Sequence, residues 1–337
     1  MSCKFAIFLF LGFLINLSLS ARPEAEDADW RKDYRRPDAI EYPDDNPYSA
    51  VKAALGRALF FDPILSGSQD ISCASCHNPA LSWQDGLPRA IGASKTPSPK
   101  RTPTLLNVGS LTRLGWDGKF HDIESVAFTP ITSPAMMNLP ETTLLARLNA
   151  IPGYVDQFAK AFDDGQITRH NIELALATYE RSIVSGEAPF DRWVMGDTEA
   201  ISDAAKQGFE VFKNKGRCAE CHSGWAFTDG SFHDIGTATG DNIGRGRLFP
   251  TSIKLRYAFK TPTLRDVYNR PPYMHDGSIA TLEGVIDHYD RGGVDRPSRA
   301  EAIKPLHLTD VEKENLLAFL KTLTGAPPDF EVRTLVR

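Results

Sequence analysis

Two five-residue stretches carry the chemistry of this chain: Cys73-Ala-Ser-Cys76-His77 and Cys218-Ala-Glu-Cys221-His222. In each, two thiols three positions apart are followed at once by an imidazole. A zinc knuckle, a redox dithiol or a disulfide would use the thiols. Two complete copies of the pattern in one chain favour covalent haem attachment: the thiols add to the two haem vinyl groups, and the imidazole lies under the iron as its proximal ligand. Two copies therefore predict two haem c groups, held by Cys73, Cys76 and His77 and by Cys218, Cys221 and His222, and a redox role.

The fifth cysteine, Cys3, falls in an N-terminal segment that reads as an export signal. Lys4 precedes the apolar run Phe5 to Leu14, and Ser18-Leu19-Ser20 places small residues before a cleavage site at Ala21. The run is short for a membrane span. Residues 1–20 are thus expected to be removed, and the mature chain would keep no cysteine outside the haem motifs. Covalent haem attachment outside the cytoplasm fits a periplasmic location. A net charge of −5 over 337 residues, with no basic run and no Gly-rich phosphate loop, argues against nucleic acid. No amphipathic stretch argues for a membrane.

The elements that must position the two motifs repeat. Arg101-Thr102-Pro103-Thr104-Leu105-Leu106-Asn107-Val108 returns as Lys260-Thr261-Pro262-Thr263-Leu264-Arg265-Asp266-Val267. Fourteen residues after each Thr-Pro-Thr start comes a second matched stretch, Trp116-Asp117-Gly118 against His275-Asp276-Gly277, then Ile123-Glu124 and Val126 against Leu282-Glu283 and Val285. A Gly-led, Phe-bearing segment precedes each haem motif, at Gly56 to Phe61 and Gly208 to Phe212. One haem domain present twice is the economical reading. Apolar residues recur at helical spacing over Glu141 to Leu148, Ile167 to Ser182, Ala204 to Lys213 and Leu308 to Leu323, and Thr309-Asp310 is a helix start. Sustained strand alternation is absent. The predicted fold is mainly α, two c-type cytochrome domains with long loops: an irregular arm over 21–49, an N-terminal haem domain over 50–186 and a C-terminal one over 187–337. The boundary is placed near Gly186-Glu187-Ala188-Pro189, where the helical pattern stops.

The repeat also bears on what completes each iron. Fourteen residues beyond Trp116 lies Pro130, and fourteen beyond His275 lies Tyr289. Proline has no donor atom for iron, whereas a tyrosine phenolate is a hard anionic ligand. One haem would then be open and the other closed.

These stretches, with Cys76-His77-Asn78-Pro79, Trp116-Asp117-Gly118-Lys119 and Pro272-Tyr273-Met274-His275-Asp276-Gly277-Ser278, resemble the bacterial di-haem cytochrome c peroxidase superfamily over nearly all the mature chain. The similarity is to its MauG-like branch, which includes the MbnH-type enzymes of copper-acquisition operons. Ordinary peroxidases of the superfamily carry a detachable distal histidine in an Ile-Gly-His context; here Ile91-Gly92 is followed by Ala93. They also place a methionine where Tyr289 stands. Both departures match the MauG-like pattern of an open His77 haem and a His222/Tyr289 haem. The resemblance further implies that Trp116 lies between the haems and couples them, and that His275 contacts haem propionates.

Other positions depart from the branch. The distal glutamine and glutamate that handle peroxide protons fall on Val126 and Met136, neither of which can move a proton, while Pro130 is retained. Glu124 and His121, near in sequence, are the candidates to supply the missing acid–base group. The family's interhaem calcium uses an asparagine just before Thr-Pro-Thr and carbonyls before Pro-Tyr-x-His. Arg101 replaces that asparagine, and a cation cannot ligate Ca²⁺; carbonyls near Arg270 and Pro272 remain, and Arg101 is a candidate to occupy the ion's place. Trp225 and Tyr257 are candidates to carry a hole to the surface.

The resemblance implies an enzyme in which hydrogen peroxide generates a high-valent di-haem state that oxidatively modifies a tryptophan or tyrosine of a partner protein by long-range electron transfer. The alternatives are a cytochrome c peroxidase fed by a small electron-donor protein and a non-enzymatic electron-transfer cytochrome. Ala93 and Tyr289 weigh against the first, whereas Val126 and Met136 are compatible with the second.

Overall fold

The structure, a computed structural model, describes residues 30–326; the segment read as an export signal lies outside them. In chain order the helices are α1 (Trp30–Tyr34), α2 (Ala50–Phe61), α3 (Cys73–Cys76), α4 (Ile123–Ala127), α5 (Thr129–Thr132), α6 (Glu141–Asn149), α7 (Pro152–Ala161), α8 (Arg169–Arg181), α9 (Pro189–Val194), α10 (Asp203–Lys213), α11 (Leu282–Arg291) and α12 (Asp310–Lys321). Two two-residue strands, β1 (Phe232–His233) and β2 (Phe259–Lys260), pair antiparallel.

The fold is mainly helical and built twice. Each half crosses a long helix before its haem motif over a long helix at its end, α2 on α8 and α10 on α12. The crossings close on a glycine for a steric reason: a Cβ on Gly56 would sit 1.9 Å from the Ala175 carbonyl oxygen, and one on Gly208 1.9 Å from that of Asn315. Any side chain there would force the helices apart. Thr309 begins α12 as expected, with a capping box to Glu312.

Two apolar cores follow from this pairing. One runs from Leu55 to Ile183 and gathers Phe60, Trp83, Phe128, Tyr154 and Phe158. The other gathers Phe190, Phe209, Phe212, Phe227 and Phe319 in edge-on, tilted and stacked aromatic contacts. The change of core falls between Ile183 and Phe190.

The arm is not irregular throughout. Trp30–Tyr34 form a helical turn because two aromatic rings have a core to enter: Trp30 packs on Trp193 and Phe209, and Tyr34 on Phe190, Phe209 and Phe227. Downstream, Asn46 is buried against the other domain, donating to Glu124 (2.8 Å) and accepting from Lys52 (2.7 Å). Between these anchors Arg36 donates to the carbonyls of Ser185 and Gly186, so the arm straps both halves at their junction.

Candidate functional site

Both Cys-x-x-Cys-His motifs open onto one continuous cavity of about 770 Å³. Its walls are mostly apolar, as a porphyrin requires. Cys73 and Cys76 lie on α3 and Cys218 and Cys221 on a 3₁₀ turn, all four as free thiols. His77 Nδ1 meets the Trp83 carbonyl at 3.2 Å, and His222 Nδ1 meets that of Phe227 at 2.9 Å. A ring that donates from Nδ1 keeps its lone pair on Nε2, the tautomer an iron ligand needs. Burial lowers both imidazole pKa values, favouring the neutral form.

A haem also brings two carboxylates, and the cavity holds cations for them. Lys260 lines it with no acceptor for its ammonium among the described residues, and burial lowers its pKa to about 8. Arg101 and Arg270 line it too, each with a buried Nε that lacks a partner. Thiols, imidazoles, apolar walls and unpaired cations together fit two haem c groups. Bound there, the pair would supply the redox chemistry.

Trp116 stands where the two halves meet. Its Nε1 donates to the Arg101 carbonyl (2.9 Å), and its own carbonyl accepts from Lys260 N–H (2.8 Å), one bond to each half. The following turn is gripped by the C-terminal half: Arg245 donates to the Asp117 carbonyl (2.8 Å), and a Cβ on Gly118, at φ +70°, would strike the Phe232 ring. His275 is 3% exposed, stacks on Phe259 and accepts from the Asn242 amide (2.6 Å). Burial holds its pKa well below the usual value, so the ring is neutral. Trp116 and His275, equivalent in the repeat, meet edge-on with ring centres 6.4 Å apart.

Val126, Pro130 and Met136 line the cavity on the N-terminal side, and Tyr289 lines it on the C-terminal side with no hydrogen-bond partner for its hydroxyl among the described residues. Burial and the neighbouring Cys218 and Cys221 raise the pKa of that phenol. The Ile91-Gly92-Ala93 loop lies against Met136, where Ala93 N–H bonds the Met136 carbonyl (2.6 Å) and a Cβ on Gly92 would collide with Ala135 and Met136. A loop so packed brings no imidazole to the cavity.

Two expectations are corrected. Glu124 is not a cavity acid: Arg181 grips its carboxylate from both guanidinium nitrogens (2.5 and 2.7 Å) and Asn46 donates a third bond, which hold its pKa below the usual carboxylate range despite burial. Nor does His121 reach the cavity wall; it is exposed and paired with Arg113. The carboxyl that does line the cavity is Glu180, which the helical pattern gave no reason to single out. Comparison of α8 with α12 could have found it, as argued below.

The calcium position does not fit an ion. The Arg101 guanidinium donates to the Arg270 carbonyl (3.2 Å) and to Gln84 Oε1, while Gln84 Nε2 reaches the Pro271 carbonyl (3.3 Å). A positive charge and an amide already occupy carbonyls that a divalent cation would need.

Twin haem-attachment sites on a duplicated helical scaffold, joined by one tryptophan, define a di-haem c-type oxidoreductase. The chain belongs to the di-haem cytochrome c peroxidase family, in its MauG-like branch: that family's description matches residues 50–199, and cytochrome c matches residues 205–324. It is 49% identical to the methylamine utilization protein MauG of Methylorubrum extorquens, over 87% of this chain and 84% of that one. It is 34% identical to the cytochrome c551 peroxidase of Nitrosomonas europaea, over 86% and 84%. Among solved structures, a MauG-like protein associated with microbial copper homeostasis superposes with a TM-score of 0.81 at 29% identity, covering 88% of this chain and 96% of that one. The protein is accordingly a peroxidase-type enzyme that carries two haem c groups. No helix among the described residues is long and apolar enough to cross a membrane.

Proposed function

We propose that this enzyme, working in the periplasm, uses hydrogen peroxide to withdraw electrons from a tryptophan or tyrosine of a partner protein, which it thereby modifies. Peroxide accepts two electrons and the partner residue supplies them, through the protein, without entering the haem cavity. The observation that carries this reading is the asymmetry of the cavity. At the place that Tyr289 takes in the repeat the N-terminal half has Pro130, which offers no donor atom to an iron held by His77; Tyr289 itself lines the cavity half-buried, has no hydrogen-bond partner for its hydroxyl among the described residues, and would be available as a ligand to an iron held by His222. A phenolate offsets added positive charge on iron, which suits storage of oxidising equivalents. The bonds of Trp116 to both halves support a role for it in sharing charge between the haems. Identity of 49% to a MauG protein supports the same reading.

Electron paramagnetic resonance of the ferric protein tests it first: one high-spin and one low-spin haem are expected. Peroxide is then added with a reduced small cytochrome. Steady oxidation of that donor would instead favour a cytochrome c peroxidase, the reading to which the 34% identical relative lends weight. Two low-spin haems that ignore peroxide would leave a plain electron carrier.

A further inference from the structure

The two copies of the haem domain differ at one buried position in a way that packing does not explain. Asn107 N–H bonds the Ile183 carbonyl (2.9 Å), and its repeat partner Asp266 bonds that of Leu323 (3.1 Å). These bonds set the ends of α8 and α12 in one register, and the glycine crossings at Ala175 and Asn315 agree with it. In this register Glu180 is the counterpart of Leu320. Both line the cavity and both are buried, at 7% and 6% exposure.

A carboxyl where leucine serves equally well is costly unless it is paired. Among the described residues Glu180 is not paired: no hydrogen bond reaches its carboxyl, Arg181 beside it favours the charged form but is committed to Glu124, and Glu124 of α4 repels it. The other titratable neighbours are Cys73 of α3, consumed by haem attachment, and Tyr179, which Arg57 of α2 also faces. Burial first, and Glu124 second, push the carboxyl up to about 8. A group in that range can both take and return a proton near neutral pH.

We propose that Glu180 is the proton-exchanging group of the N-terminal haem cavity, in place of the acid–base pair that Val126 and Met136 cannot supply. Hydrogen peroxide, taking two electrons from the haem pair, must shift a proton from one oxygen to the other before the second leaves as water. Glu180 accepts that proton and gives it back, ending as it began. This deepens the peroxide reading above and rests on it for the identity of the weak acid.

Cyanide provides a probe independent of turnover, because hydrogen cyanide must give up its proton to bind ferric haem. In the ferric holoprotein the association rate should climb as pH rises through the ionisation of Glu180. Glu180→Gln, equal in size, should lose that limb and slow binding on the order of 10²-fold, with haem content and ferric spectrum unchanged. Glu180→Leu, which installs the residue of the other copy, should do the same and so separates proton exchange from packing. Cyanide binding in both variants at the wild-type rate and pH profile would overturn the proposal. Slowed cyanide binding in variants that still react with peroxide as the wild type does would overturn Glu180's part in the peroxide step and leave the peroxide reading standing, whereas a wild type inert to peroxide whose variants bind cyanide slowly would uphold the base and remove the peroxide reading.

Discussion

If Arg101 stands in for the interhaem ion, the protein should be indifferent to calcium, and removing the guanidinium should make it dependent. Arg101→Asn restores the family's ligand type at this position. It deletes the bonds to the Arg270 carbonyl and Gln84 Oε1 but spares the backbone bonds to Trp116 and His275. Each buried charge-assisted bond contributes about 1.5–3 kcal/mol. The guanidinium itself is desolvated, with an unpartnered Nε and a lowered pKa, so the net loss is about 2–4 kcal/mol. For a chain of this size that lowers Tm by about 4–8 °C. Calcium at a hundredfold excess over its Kd would restore about 2.7 kcal/mol, most of the deficit. The assay is thermal unfolding of holoprotein in chelator and in calcium, with metal analysis alongside. Wild type should melt identically in both and carry no calcium, whereas the variant should melt lower in chelator and recover in calcium. A wild-type protein that retains one calcium per chain, or that loses Tm in chelator, would refute the substitution.

Glu124→Gln should cost about 2–3 kcal/mol by leaving Arg181 buried with a weaker partner, without a direct loss of peroxide reactivity. Because the carboxyl is held below its ordinary pKa, its stabilisation is full above the unfolded carboxylate range and is lost as pH falls through the lowered folded value; acid unfolding monitored by circular dichroism should therefore show a flatter acid limb in the variant. Trp116→Phe keeps an aromatic ring but removes the Nε1 bond to Arg101, and should leave two independently reacting haems. A peroxide-generated optical spectrum identical to wild type would show that the indole is not the coupling element.

The haem motifs, the repeat and most of the long helices were legible because each is a local pattern: a motif closes within five residues, and the helices within Ile167 to Ser182, Ala204 to Lys213 and Leu308 to Leu323 announce themselves by apolar spacing. What stayed hidden depends on pairs far apart in the chain. Glu124 looked available for chemistry because it lies two residues from Val126, yet Arg181 and Asn46, which bind it, lie 57 and 78 residues away. The helical turn at Trp30–Tyr34 has too few residues to be stable by propensity and forms because the C-terminal aromatic core receives it. Glu180 sits in a Glu-Arg pair that reads as the solvated end of a helix; only the partner of Arg181 and the register with α12 reveal that its neighbour is engaged and Glu180 is not.

The differences between the copies concentrate where the scaffold is most alike. The Thr-Pro-Thr turns, the Asp-Gly turns and the glycine crossings superpose in kind because each solves a backbone problem that any haem domain shares. Against that background Arg101 corresponds to Lys260, Trp116 to His275, Pro130 to Tyr289 and Glu180 to Leu320, and all eight residues line one cavity. Packing alone would favour keeping such pairs the same. Substituting an unpaired buried carboxyl for leucine weakens the fold, and so does turning the half-buried Tyr289 into an apolar cavity with no hydrogen-bond partner for its hydroxyl among the described residues. Those costs fall on opposite halves: the proton-exchanging group is on the side whose facing residue cannot ligate iron, and the candidate ligand is on the side with no acid. A duplicated scaffold under selection only for stability would not distribute its strain this way, whereas one that divides peroxide chemistry from charge storage would.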